Sequence, residues 1–119
     1  MSDNGMLTYD KAVDAARSIT SQIRRLEDDI ATAMTEHAEA EAGYRAQFAH
    51  KLREHREAGA TVAESEAFAH AACAVLNRDR IKAEHRVREL LERLEDRRGE
   101  RHSLHRLIDW SMPGRPGPS

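Results

Sequence analysis

Residues 9 to 110 contain no proline, and one short stretch, Ala58-Gly59-Ala60-Thr61-Val62-Ala63-Glu64, divides that span into two arms of about fifty residues. Glycine takes the left-handed conformation that ends a helix without steric cost, which places a stop at Gly59. Thr61 and Glu64 form a T-x-x-E capping box, in which each side chain satisfies the other residue's orphan backbone N–H, and this starts a new helix. A stop and a start this close turn the chain back on itself. The pattern predicts an all-α fold: a long, coiled-coil-like antiparallel helical hairpin over residues 9–110 with its turn at 58–61. Residues 1–8 read as a flexible N-terminus with Thr8 as N-cap, and residues 111–119, which hold all three prolines, as a disordered tail.

The first arm carries a seam at Ala16, Ile19, Ile23, Leu26, Ile30, Ala33, His37, Ala40 and Tyr44, where spacings of three and four alternate as in a heptad. From Tyr44 the spacing changes to four and four, through Phe48 to Leu52, and a bend or stutter is expected at Gly43. The second arm is rich in small residues from Val62 to Leu76 and then runs through Ala83, Val87, Leu90 and Leu94 to Leu104 and Ile108. Arg97 and Arg101 interrupt this stripe around Gly99, so a helix break with a restart near Ser103 is expected there.

Leu, Ile, Val and Phe together number only twenty, whereas alanine alone numbers nineteen. Alanine favours helix but buries little area, so the seam is thin for one hairpin. Self-association is therefore expected, with Ile19, Ile23, Leu26 and Ile30 as the interface of a homo-oligomer. No apolar run approaches the roughly 20 residues of a membrane span, and the N-terminus lacks the basic and apolar regions of a secretory signal. The single cysteine, Cys73, has no internal partner and lies among alanines, which suits a packing role in a reducing cytoplasm.

Motifs for chemistry are missing: no P-loop, no Gly-rich dinucleotide turn, no H-E-x-x-H and no G-x-S-x-G occurs. Seven histidines are present, but none stands in a Glu-x-x-His of the di-metal type, and one cysteine is too few for a usual zinc site. Neither catalysis nor a metal or cofactor is expected. His37 falls on the seam as a packed polar residue. Trp110 stands at the end of the second arm, where it either covers a neighbouring helix or anchors a partner.

Charge is unevenly placed. Residues 1–58 hold eight basic and eleven acidic side chains, and residues 78–106 hold ten basic and seven acidic. The strip from Arg78 to Arg106 reads either as a solvated face, with Glu84/Arg88 and Glu89/Arg93 in favourable i, i+4 order, or as a modest polyanion-binding surface. A second basic group, Lys51, Arg53 and Arg56, precedes the turn. Lys51 and Arg53 point about 200° apart on a helix, so both reach one polyanion only if it wraps the helix or lies between subunits.

That element, Lys51-Leu52-Arg53-Glu54-His55-Arg56-Glu57-Ala58-Gly59, resembles the UvsY family, the recombination mediators of T-even-type bacteriophages. The likeness rests on size, two long helices, and a basic K-x-R pair followed by a glycine turn; Ala38-Glu-Ala-Glu-Ala-Gly-Tyr44-Arg45 is also similar to small helical phage proteins. It covers about residues 15–108. His55 and Arg56 stand where the family carries aromatic residues. The resemblance implies a ring-like homo-oligomer that binds single-stranded DNA, weakens the hold of single-strand-binding protein and helps a RecA-like recombinase assemble, in the cytoplasm of a phage-infected bacterium. It further implies that Lys51 and Arg53 contact the DNA backbone. The competing expectation is a structural or scaffolding coiled-coil protein with a protein partner only. A secreted hairpin of the WXG type is disfavoured, because the turn is Ala-Gly-Ala with no Trp-x-Gly.

Overall fold

A computed structural model describes residues 4–111. All the secondary structure among these residues is helical: α1 spans Asn4–Glu57, α2 Val62–Ala72 and α3 Ala74–Ser111. The all-α hairpin expected from the sequence is present. α1 begins at Asn4 and runs through Thr8, so Thr8 is not its N-cap. The expected disorder of residues 1–3 and 112–119 lies outside the described residues.

Residues 58–61 make the turn, and its hydrogen bonds explain why the chain reverses there. Ala60 N–H donates to the carbonyl of His55 at 3.2 Å and Gly59 N–H to that of Arg56 at 3.0 Å. These are the two bonds of a Schellman motif, which needs a left-handed residue after the helix. Gly59 supplies it with φ of 100°, the only positive-φ residue described. The next helix starts at once. Thr61 Oγ1 accepts from the Glu64 N–H at 3.2 Å, and Glu64 Oε1 accepts from the Thr61 N–H at 3.1 Å. The hydrogen bond to the Thr61 side chain, then that to its backbone, holds the Glu64 carboxyl below the usual glutamate range, and the nearby His55 adds to this. A depressed carboxylate contributes stability that is present above its unfolded value and is lost as pH falls through its folded one. Glu64→Ala should therefore lower the melting temperature most at neutral pH. The gap from wild type should narrow as pH drops below the ordinary glutamate range, which parallel thermal melts will read.

Two compact units divide the chain. Among the described residues, the first joins residues 4–29 to 90–111, and the second comprises residues 30–89. In the first, the buried apolar residues are Ala12, Ala16, Ile19, Ile23, Leu90 and Leu94, and Arg98 crosses to Glu27 at 3.4 Å. This is an aliphatic seam. In the second, only Ile30, Ala33, Ala69 and Cys73 are buried apolar residues, with Ser65, and the helices meet through polar and aromatic groups instead.

Helix continuity departs from expectation at three places. α3 is unbroken through Gly99 and Ser103, where the sequence suggests a break. Arg97 and Arg101 occupy the seam positions half-buried, where arginine stems cover apolar surface while their heads reach water. α1 is likewise continuous through Gly43. One helical glycine costs only about 1 kcal/mol relative to alanine, too little to interrupt a helix held along its length. A methyl group at either position meets nothing within 4 Å. Gly43→Ala with Gly99→Ala should therefore stabilise by about 1–2 kcal/mol together, seen as a raised melting temperature. The third departure is at Cys73, which separates α2 from α3 with φ −103° and ψ 14°. The hydrogen bonds on both sides persist, Cys73 N–H to Ala69 and Asn77 N–H to Cys73, each at 2.9 Å. Neither Gly nor Pro stands nearby to signal it.

Candidate nucleic-acid interface

The last two turns of α1 carry the residues expected to meet DNA. Arg53 and Arg56 are exposed and Lys51 is half-buried. Arg53 and Arg56 are three apart and share a face, whereas Lys51 lies on the other flank of the same helix. The structure thus brings two of the three together. Arg56 already has a task, because its Nη1 donates to the Ala60 carbonyl at 3.0 Å and helps close the turn. Arg56, in the last turn, also places a cationic side chain at the negative end of the helix dipole. Lys51 and Arg53 have no carboxylate within 4 Å among the described residues, and the nearby Glu54 instead pairs with His50 at 3.3 Å.

Aromatic groups beside this element are engaged in packing. His55 stacks on Phe68 with ring centroids 4.3 Å apart, and Phe48 meets the His70 edge at 4.9 Å. Tyr44 lies 5.8 Å from Phe48 and carries the Arg80 guanidinium over its ring at 4.8 Å. His55, which with Arg56 stands where the resembled family carries aromatic residues, therefore packs against the second arm.

The structure places the four nominated subunit-interface residues in the hairpin's own seam. Ile23 is 3% exposed, Ile19 and Ile30 7% each, and Leu26 is half-buried. A side chain already removed from water within its own chain has little area left for a second copy. Trp110, by contrast, stands 66% exposed.

A cluster around Glu41 adds a feature that the sequence reading misses. Its carboxylate meets Arg80 at 3.3 Å, Arg45 at 3.6 Å and His37 at 3.9 Å. Asn77 Oδ1 accepts from Arg80 Nη2 at 2.6 Å and holds the guanidinium in place. The i, i+4 parts of this cluster are readable from the sequence; the Arg80 contact requires the register of the second arm. Compared with known protein families, curated proteins and solved structures, the chain matches none.

Proposed function

We propose that this chain is a non-enzymatic recombination mediator. In this reading it binds single-stranded DNA by the backbone and, as a homo-oligomer, helps load a RecA-like recombinase on strands covered by single-strand-binding protein. The observation that supports it most is the unpaired state of Lys51 and Arg53 on a rigidly capped helix end. A cation without a carboxylate partner keeps its full charge for a phosphate, and the Schellman turn and capping box limit the motion of its helix. One subunit offers few phosphate contacts, so affinity grows by repetition across subunits, with little sequence preference because backbone contacts carry no base readout.

The test is a mobility shift with single-stranded oligonucleotides at several salt concentrations. Lys51→Ala with Arg53→Ala should weaken binding to all sequences alike. The log–log salt slope should flatten by roughly 0.7 for each phosphate that is no longer neutralised, while helicity stays unchanged. A double variant that keeps the wild-type slope moves the DNA-binding surface elsewhere, and a wild type that binds no strand at low salt ends the reading. In that event the chain is a scaffold for a protein partner, a reading supported by the engagement of Tyr44, Phe48 and Phe68 in packing rather than in base stacking.

A further inference from the structure

The second unit carries two faces of unmatched charge on different helices. On α3, Arg78, Lys82 and Arg86 recur every four residues and are all exposed. Each step of four advances about 6 Å along the helix and rotates by about 40°, so the three form one stripe. Val75, 59% exposed, stands one turn before Arg78 on the same face. On α1, Glu36 and Glu39 are exposed and three apart. None of these five charged groups has an oppositely charged partner within 4 Å among the described residues, although Glu84–Arg88 and Glu41–Arg45 are paired on the same two helices.

Sequence spacing accounts for the contrast. Glu36 and Glu39 have no basic residue three or four positions away, and Arg78 has no acidic one. Lys82 has only Asp79 and Arg86 only Glu89 within that reach. Like charges at i, i+3 and i, i+4 repel each other, so each face is slightly unfavourable for its own helix. An opposite face on another molecule relieves that repulsion and screens out wrong partners.

We propose that the acidic flank of α1, Glu36 and Glu39, docks on the basic stripe of α3, Arg78, Lys82 and Arg86, of a second copy of this chain. Val75 supplies apolar contact at the edge of the stripe. Each copy carries both surfaces, so the contact either closes as a two-fold pair or repeats head to tail. It leaves the seam of residues 19–30 inside each copy. It names the surface for the homo-oligomer of the proposed function but does not depend on DNA binding, because a chain that binds no nucleic acid assembles in the same way.

Sedimentation of the full-length chain at low and high salt tests this, with circular dichroism to verify that each variant keeps wild-type helicity. The wild type should associate at low salt and dissociate as salt rises. E36K/E39K makes both faces basic and R78E/K82E/R86E makes both acidic, so each alone should be monomeric. Mixed in equal amounts, they should regain the wild-type mass, since each then presents the charge the other needs. If a reversal lowers helicity, the neutral set E36Q/E39Q and R78Q/K82Q/R86Q replaces it and should lose association without new repulsion. A wild type that stays monomeric at low salt overturns the proposal, as do variants that keep its mass or folded single variants that fail to reassociate when mixed. A monomeric wild type that binds a single-stranded oligonucleotide through Arg78, Lys82 and Arg86 would give the stripe to nucleic acid instead.

Discussion

Ile23→Asp is expected to unpack the first unit rather than to release one copy of the chain from another. Ile23 retains 3% of its surface, so an aspartate there either carries an unpaired charge out of water or forces the helices apart to hydrate it. The cost is above about 3 kcal/mol, a large share of the roughly 5–15 kcal/mol that holds an ordinary domain together. Helicity and melting temperature should fall at the same protein concentration at which mass is measured. Arg24→Ala, at the exposed neighbouring position, should change stability by less than about 0.5 kcal/mol. The opposite pattern, a lower mass with an unchanged melting temperature, would return Ile23 to a subunit interface.

That contrast shows what a heptad pattern does and does not specify. The spacing of Ile19, Ile23, Leu26 and Ile30 identifies a face that must leave water, but not which helix covers it. The turn settles the matter: a Schellman stop and a capping box bring the chain's own second arm alongside the first. Gly59, Thr61 and Glu64 make this turn legible, because each residue type answers one local requirement of the backbone. Once the turn is placed, antiparallel geometry fixes the rest. The partners of the contacts Glu41–Arg80 and Phe48–His70 lie about equally far from it on the two sides. The cluster around Glu41 is therefore within reach of a register argument.

Other features are not legible, for physical reasons. The interruption at Cys73 leaves its flanking hydrogen bonds in place, so it needs no residue with special backbone freedom and writes no signature. Gly99 gives the opposite error. A glycine and two seam arginines look like a break in a local window, yet the helix gains more from packing on both sides than one glycine costs. In the candidate interface, the nearness of Lys51, Arg53 and Arg56 along the chain suggests one basic patch. Helical rotation separates Lys51 from the other two, and the turn's open carbonyl engages Arg56.

Leu90→Ala and Leu91→Ala should differ several-fold in cost. The two leucines share a residue type, a helix and nearly the same helix propensity, but Leu90 is 1% exposed and Leu91 47%. Truncating Leu90 removes apolar atoms from a seam with few large side chains to move into the gap, so both the transfer and the cavity terms apply. The expected loss is about 2–5 kcal/mol. At Leu91 the removed atoms already face water in part, and alanine improves helix propensity slightly, so the loss should stay below about 1 kcal/mol. Chemical denaturation at a fixed protein concentration reads both. Equal losses at the two positions would mean that Leu91 is covered in solution by another molecule, and a dependence of the Leu91 loss on protein concentration would identify that molecule as a second copy of the chain.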